Sequence, residues 1–251
     1  MRADDGDQTL LRTEDVVKVF RGLHALRGVT LTVRAGEIVG LIGPNGSGKT
    51  TLLNVISGVL APTSGRIYVG TRDATKLKAD RVTHLGVGRT FQNIRLFAHL
   101  SVRENVEIGA ISGRNRKGVD HTADVAALLA RFGLGHVADA PAHSLPYGDQ
   151  RRVEIARALA PRPDFLLLDE PAAGMNENES DELLEIILRV RAEYGCGVLI
   201  VDHDLRLIMG LCERIHVLAE GQTLAEGAPR EVRHNQQVID VFLGDAVIDA
   251  M

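Results

Sequence analysis

Short apolar runs alternate with helix-patterned segments along most of the chain. Runs without an internal polar position, such as FLLL at 165–168, are typical of parallel strands buried on both faces of a sheet. The segments between them repeat apolar residues at helical spacing, which favours strand–helix–strand units. The pattern therefore predicts an α/β fold in which helices cover a parallel sheet.

The same pattern predicts individual elements. Near the N-terminus, TLTVRAGEIVGLIG predicts two strands joined by a turn at Ala35–Gly36, and SGRIYVG predicts a further strand. A helix is predicted over Thr51–Leu60, and the tail REVRHNQQVIDVFLGDA predicts another. Residues from about 93 to 158 carry helical patterns and no strong strand run, so we expect a helical insertion in an α/β core.

Four apolar runs end at residues that suit a binding site. The runs VGLIG, LGVGRTF, FLLL and VLIV end before Pro44, Gln92, Asp169 and Asp202, respectively. In an open parallel sheet, ligands bind at the carboxyl ends of the strands. The four runs together predict one shared crevice, although any single run would equally fit an ordinary polar turn.

Composition narrows the classes of function. The 251 residues are 45% hydrophobic and 25% charged, a mix that excludes a disordered chain, a collagen or a small cystine scaffold. No run approaches the roughly 20 apolar residues of a membrane helix, and the first residues lack the apolar core of a secretory signal. The net charge of −4 gives no global basic surface, so we expect no nucleic-acid partner. Cys196 and Cys212 stand alone and are predicted to be free thiols in a reducing compartment.

The strongest motif is GPNGSGKTT, which fits G-x-x-x-x-G-K-[ST] between a predicted strand and a predicted helix. Its glycines let backbone N–H groups surround phosphate oxygens, and the helix N-terminus adds unpaired donors. We expect Lys49 to reach the β- and γ-phosphates and the Thr50 hydroxyl to ligate Mg²⁺. The predicted phosphate-binding residues are Gly43, Pro44, Asn45, Gly46, Ser47, Gly48, Lys49, Thr50 and Thr51.

The run FLLLDE places two acids at the end of a predicted strand. Beside a phosphate loop, Asp169 is expected to hold Mg²⁺, directly or through water. Glu170 is then placed to orient or deprotonate an attacking water. Taken alone, Gln92 and His203 fit ordinary turn residues as well as site residues. The remaining histidines lack the HExxH spacing, which argues against a zinc site.

The order of these motifs resembles that of the ATP-binding-cassette (ABC) ATPases over almost the whole chain. The most specific segment is LPYGDQRRVEIARAL, Leu145–Leu159, which resembles the ABC signature LSGGQ; without the family it would be a turn followed by an amphipathic helix. The resemblance implies a P-loop NTPase fold with a RecA-like core, an N-terminal β region and a helical subdomain insertion. It implies one ABC ATPase domain with its nucleotide-binding core at 1–92 and 159–251 and its signature-bearing helical subdomain at 93–158.

The resemblance also implies roles for the weaker residues. Phe20 corresponds to the aromatic residue that stacks on adenine; without the family, an ordinary core phenylalanine would be the better interpretation. Gln92 is expected to contact Mg²⁺ or the attacking water, and His203 the γ-phosphate. The implied catalytic set is thus Glu170, His203 and Gln92, and the implied magnesium ligands are Thr50, Gln92 and Asp169. The signature residues, which contact ATP held by a second subunit, are Leu145, Pro146, Tyr147, Gly148, Asp149 and Gln150.

The signature departs from the family pattern. Pro146 stands where serine is common, Tyr147 replaces the first glycine and Asp149 replaces the glutamine. Loss of the serine hydroxyl removes one γ-phosphate donor, and Asp149 brings an acid near that phosphate unless it caps the helix. In the segment AAGMN, which occupies the D-loop position, Asn176 replaces the usual aspartate.

Several features resemble one branch of the family, the ATP-binding subunits of branched-chain amino-acid importers, whose relatives move amides or urea. These features are TFQNIRLF, the Tyr-Gly pair of the signature, DEPAAGMN and VIDVFLG. The resemblance implies ATP hydrolysis coupled to transport, with a second ATPase as heterodimer partner, two membrane permeases and an external solute-binding protein. It also implies a cytoplasmic location at the inner face of the plasma membrane.

Three alternatives stay open. The first is the ATPase of an exporter of the lipopolysaccharide type, against which the AAGMN and VFLG segments argue. The second is a soluble ABC protein acting on ribosomes or DNA, which usually has two cassettes or long inserted arms. The third is a non-catalytic regulatory cassette, against which the presence of Lys49, Asp169, Glu170 and His203 argues.

Overall fold

The computed structural model describes residues 10–117 and 124–248. The strands are β1 (Leu10–Phe20), β2 (Leu23–Arg34), β3 (Ile38–Ile42), β4 (Ser64–Val69), β5 (Arg72–Asp73), β6 (Val87–Arg89), β7 (Phe165–Asp169), β8 (Gly197–Val201), β9 (Arg214–Ala219) and β10 (Gln222–Gly227). The helices are α1 (Lys49–Ile56), α2 (Ala79–His84), α3 (Val102–Lys117), α4 (Val125–Arg131), α5 (Tyr147–Leu159), α6 (Glu177–Tyr194), α7 (Leu205–Leu211), α8 (Pro229–Arg233) and α9 (Gln236–Ile248).

The strands form two sheets. An antiparallel sheet has the order β2-β1-β4-β5, and a six-stranded sheet has the order β10-β9-β3-β8-β7-β6. In the larger sheet β9, β3, β8, β7 and β6 run parallel, and β10 pairs with β9 in the antiparallel sense. The predicted α/β fold with a parallel sheet is confirmed.

The four apolar runs form four neighbouring strands, β3, β8, β7 and β6. Every residue of β3, β7 and β8 is buried. Successive side chains of a strand point to opposite faces, so a strand covered on both faces must be apolar throughout. The carboxyl ends of the four parallel strands lie at the same edge of the sheet.

The core has one layer on each face of the parallel sheet. Ile38 and Ile42 of β3 pack in a buried cluster with α3, α5 and α6, whereas Val39 and Leu41 pack in a second cluster with α1 and the antiparallel sheet. The first cluster also contains Val102 of α3, so helices between β6 and β7 share their core with the sheet. The division into a core and a helical subdomain at 92 and 159 stays a prediction.

Two predicted helices have different bounds. Helix α1 begins at Lys49 and ends at Ile56, four residues before Leu60. The chain turns at Gly58, which has φ +71° and whose Cβ would lie 2.7 Å from the Leu77 carbonyl oxygen, so only glycine fits this helix end.

The tail is not one helix but two, α8 and α9. The break falls at His234–Asn235, where the Asn235 side chain accepts the backbone N–H groups of Gln237 and Val238. Such a side-chain bond is the usual start signal of a new helix. The predicted helical character of the tail is therefore correct, and its continuity is wrong.

Candidate nucleotide site

The turn from β3 into α1 is shaped by glycines that no other residue could replace. Gly43 has φ +153°, and a Cβ there would overlap the Leu218 carbonyl oxygen of β9. Gly48 has φ +107°, and its Cβ would lie 2.7 Å from the Ala25 carbonyl oxygen of β2. The loop is therefore held closely between neighbouring strands, with its backbone in the left-handed region that favours glycine.

The loop has the donors that a phosphate requires. Gly48 caps α1 without a side-chain hydrogen bond, so the first-turn N–H groups of the helix face the loop. The Lys49 ammonium lies inside the loop, 2.6 Å from the Gly43 carbonyl oxygen and 2.8 Å from that of Pro44. The Ser47 hydroxyl is buried and has no hydrogen-bond partner in the described part of the chain. These groups fit a bound phosphate chain.

Asp169 is the last residue of β7, and its side chain is 1% exposed. One carboxylate oxygen lies 3.5 Å from the Arg89 guanidinium, and the other has no partner within the described residues. Burial raises the pKa of Asp169, and the nearby Arg89 offsets only part of that rise. An unpaired, buried carboxylate oxygen at this position fits a bound cation.

Glu170, Gln92 and His203 come together at the ends of three different strands. The Gln92 amide donates to Glu170 Oε2 at 3.2 Å, and His203 Nδ1 lies 4.0 Å from the same oxygen. Glu170 has φ +49°, an uncommon value for a residue with a side chain, and its N–H donates to the Val201 carbonyl oxygen of β8 at 2.8 Å. Backbone strain of this kind clusters at functional sites.

The Glu170 carboxylate is thus oriented but still reachable. Its side chain is 22% exposed, so water can approach it, while the Gln92 amide holds one of its oxygens. A carboxylate in this arrangement can accept a proton from a water molecule that lies within hydrogen-bond distance. The structure thus brings Gln92, Glu170 and His203 together at the strand ends, and a single crevice shared by all four apolar runs stays a prediction.

The donor set suits Mg²⁺ bound together with phosphate. No group of three or more histidine, cysteine or acidic side chains in residues 10–117 and 124–248 is arranged to hold a metal alone. Mg²⁺ commonly uses one or two carboxylates plus substrate phosphates and water. Thr50, Gln92 and Asp169 offer a hydroxyl, an amide and one carboxylate, which is a set of this kind, and their role as ligands stays a prediction.

Phe20 is not a core residue. It ends β1, and the residue is 41% exposed. The β1–β2 hairpin leads into the part of β2 that contacts the loop at Gly48. The Lys18 ammonium lies over the Phe20 ring, 5.0 Å from its centroid. An exposed aromatic residue is compatible with stacking on a flat base, and the role of Phe20 stays a prediction.

The signature residues lie at the start of α5. Tyr147 is the first helical residue and is 45% exposed, and Gln150 donates its amide to the Leu145 carbonyl oxygen at 2.8 Å. Pro146 occupies the N-cap position without a side-chain bond, so Asp149 does not cap the helix. Asp149 instead lies within the first turn, where a carboxylate interacts favourably with the helix dipole.

Four buried residues near the site were given no role from the sequence: Arg89, Arg151, Glu154 and Asp202, of which only Asp202 was placed at a strand end. Asp202 is 3% exposed with one carboxylate oxygen unpaired in the described residues, and burial raises its pKa. Its place directly after an apolar run was a usable signal. The two arginines and Glu154 gave no such signal, because a charged residue in a helix or strand end is normally exposed.

Comparisons with known proteins agree with the predicted fold and family resemblance. The family described as ABC transporter matches residues 26–173, and the family described as branched-chain amino acid ATP-binding cassette transporter matches residues 222–248. The Salmonella typhimurium protein named high-affinity branched-chain amino acid transport ATP-binding protein LivG is 42% identical, over 95% of this chain and 99% of that protein. The lipopolysaccharide export system ATP-binding protein LptB of Acidithiobacillus ferridurans is 38% identical, over 94% of this chain and 97% of that protein.

Among solved structures, the ADP conformation of MJ1267, an ATP-binding cassette of an ABC transporter, has a TM-score of 0.84 at 32% identity. The match covers 94% of this chain and 99% of that chain.

Proposed function

This chain belongs to the ABC transporter family as a nucleotide-binding ATPase subunit, and from that premise we propose that it drives an importer of branched-chain amino acids with ATP and Mg²⁺. The observation that carries the catalytic part of the proposal is the cluster of Gln92, Glu170 and His203 at the strand ends. The observation that carries the transported solute is the family match at 222–248 together with the LivG relatives.

The phosphate loop binds the nucleotide in this proposal. The first-turn N–H groups of α1 and the Lys49 ammonium hold the phosphates, and Phe20 stacks on the adenine. Thr50, Gln92 and Asp169 would hold Mg²⁺, which would neutralise negative charge on the phosphates.

Glu170 is the general base in this proposal. Its carboxylate accepts a proton from the attacking water, and the Gln92 amide keeps the carboxylate oriented. His203 Nδ1 lies 4.0 Å from the same oxygen, and the His203 side chain is 74% exposed, which leaves its ring able to contact the γ-phosphate. Hydrolysis then separates two ATPase subunits that had closed over the nucleotide.

The proposed partners include the membrane-spanning subunits. None of the described helices is long and apolar enough to cross a membrane. We propose that two permease subunits supply the path for the solute, that an external binding protein delivers it, and that a second ATPase completes a heterodimer. The chain would then lie at the cytoplasmic face of the plasma membrane.

A groove beside the site is the proposed permease contact. It has a volume of about 450 Å³ and is bounded by α2, α3, α5 and the segment after β6, including Phe91 and Arg95. Phe97 and Ile108 line the groove and are 50% and 37% exposed, so the groove carries exposed apolar surface. Exposed apolar patches of this kind mark protein contacts.

The test is uptake of labelled leucine by cells that express the chain together with its permease subunits. Lys49→Ala should abolish uptake and weaken ATP binding by about 10-fold or more, because a phosphate loses a charge-assisted bond. Lys49→Ala should still co-purify with the permeases. Lys76→Ala, an exposed lysine outside the site, is the matched control and should behave as wild type.

The double variant Ile108→Asp, Phe97→Asp should differ from Lys49→Ala by losing the permeases while still binding ATP. A charge in the groove should prevent co-purification with the permeases and leave ATP affinity unchanged. The control is Leu188→Asp on α6. Leu188 is also an exposed apolar residue, with 42% of its surface accessible, and the variant should leave both properties unchanged. Restoration of lipopolysaccharide export in place of leucine uptake would favour the exporter alternative.

A further inference from the structure

Two charged side chains lie buried in the middle of α5, within two turns of the signature residues. Arg151 and Glu154 are 0% and 1% exposed, and Arg151 Nη1 lies 2.7 Å from Glu154 Oε2. Removing both charges from water costs so much that a buried ion pair is weak evidence for added stability. Burial raises the pKa of Glu154, with Arg151 partly offsetting that rise. The pair also makes hydrogen bonds outside α5.

The pair holds the backbone of residues 91–95, the Gln92 segment. The Arg151 guanidinium donates to the carbonyl oxygens of Phe91 and Gln92, both at 2.7 Å. Glu154 Oε1 accepts the backbone N–H of Arg95 at 3.2 Å. A planar guanidinium suits two successive carbonyl acceptors, which lysine could not bind in the same way.

The same guanidinium also reaches the first turn of α5. Arg151 Nη2 lies 3.4 Å from the Tyr147 hydroxyl. The Tyr147 ring in turn packs against Gly174, where a Cβ would lie 3.0 Å from the ring. Arg151 therefore lies where three segments meet, namely the signature, Ala172–Asn176 and the Gln92 segment.

We propose that Arg151 and Glu154 are positioning residues that fix the backbone around Gln92 against α5 and so set the position of the Glu170 carboxylate. Three hydrogen bonds join that backbone to these two buried side chains of one helix. The Gln92 side chain then orients Glu170, because its amide donates to the Glu170 carboxylate. This inference rests on the proposed roles of Gln92 and Glu170 in hydrolysis.

The first test replaces the pair by apolar residues of similar volume, Arg151→Met with Glu154→Leu. This change leaves no uncompensated buried charge, so the fold should be retained. In the full chain assembled with its partner subunits, kcat for ATP hydrolysis should fall about 10- to 100-fold, the loss expected from a misplaced catalytic group. ATP affinity should stay at the wild-type value, because neither side chain contacts the phosphate loop.

The matched control is Arg152→Gln on the same helix. Arg152 pairs with Glu182 of α6 at 2.6 Å and contacts no backbone group of the Gln92 segment in the hydrogen bonds of the described residues. Its kcat should remain near wild type. Arg151→Lys keeps the charge pair but loses the two-pronged contact, so it should fold as wild type and still lower kcat. Arg151→Lys keeps the inference testable if the apolar pair fails to fold.

A double-mutant cycle separates positioning from a general structural effect. In a Gln92→Ala background the apolar pair should cost less than about twofold in kcat, because the side chain through which it acts is gone. Amide hydrogen exchange gives a second readout. The Arg95 N–H should exchange faster in the Arg151→Met, Glu154→Leu variant, and its exchange rate should be unchanged in Arg152→Gln.

Two outcomes would overturn the inference: an unchanged kcat in a folded Arg151 variant, or an equal loss of kcat with and without Gln92. A wild-type complex that fails to hydrolyse ATP would instead contradict the proposed function, so the two failures are distinguishable.

Discussion

Asp169 carries a carboxylate to the end of a fully buried strand, where loss of water favours the neutral acid. Arg89 provides a positive charge 3.5 Å away, but its own pKa is lowered by burial, and the pKa of Asp169 remains raised. A divalent cation at the unpaired oxygen would favour the ionised form more strongly than Arg89 does. A cation bound beside Asp169 would therefore lower the pKa of its carboxyl and stabilise the ionised form.

The neighbouring acid gives the first prediction. Glu170→Gln should keep ATP binding and slow hydrolysis about 100-fold or more, because the variant preserves the shape but removes the proton acceptor. The measurement is a nucleotide titration together with single-turnover hydrolysis. The ATP-bound subunit pair should also persist in this variant.

Glu185→Gln is the control for Glu170→Gln. Glu185 is an exposed carboxylate of α6 that pairs with Arg189 one turn later, and its loss should leave turnover unchanged. Wild-type turnover in Glu170→Gln itself would remove Glu170 from the general-base role.

The residues around these acids differ in how far the sequence predicts them. Pattern and motif bring Gln92, Asp169, Glu170 and His203 to one edge, because each follows an apolar run. Arg151 could not be found in this way, since arginine is rarely buried and its partners are backbone atoms of a segment about 60 residues away. Contacts with backbone leave no mark in the side-chain pattern.

At the scale of elements, continuous burial was predictable and interrupted pairing was not. Strand β1 carries the polar run Thr13–Glu14–Asp15 in its middle, which obscures its alternation. The pairing with β2 shifts register between Thr13 and Val16, where Asp15 has φ +45°. A bulge of this kind inserts a residue and breaks the two-residue period on which strand prediction depends.

The start of α6 offered a signal that could have been used. Asn176 accepts the Glu179 N–H at 3.0 Å, and the Glu179 carboxylate accepts the Asn176 N–H at 3.0 Å. This reciprocal pair is a capping box, recognisable as an asparagine followed three residues later by a glutamate. It also gives Asn176 an N-cap role that aspartate would fill equally well, so the start of this helix accepts either residue.

The second prediction follows from that cap. Asn176→Ala should lower the free energy of unfolding by about 1 kcal/mol, whereas Asn176→Asp should leave it nearly unchanged. Urea unfolding followed by circular dichroism measures both, since the chain contains no tryptophan to serve as a fluorescent reporter. A loss of similar size in both variants would show that the amide group, and not the N-cap acceptor, stabilises this helix.

At the scale of the whole molecule, the phosphate loop and the signature belong to different parts of the fold. The loop joins β3 to α1, which packs with the antiparallel sheet, whereas the signature begins α5, which packs in the cluster on the other face of the parallel sheet. Tyr147 at the start of α5 is exposed. A surface helix start with unpaired N–H groups is available to a phosphate on another subunit.

The last prediction concerns that separation. If the signature contacts the nucleotide of a partner ATPase, Pro146→Ser, alone or with Asp149→Gln, should change hydrolysis at the partner's site. The serine hydroxyl adds a phosphate donor, and loss of the Asp149 charge removes repulsion from the γ-phosphate. ATP affinity of the isolated chain should stay near wild type, because its own loop does not meet its own signature. The measurements are nucleotide affinity of the isolated chain and ATPase rate of the assembled complex. A large affinity change in the isolated chain would mean that the signature acts on its own nucleotide, and the assignment of two composite sites would fail.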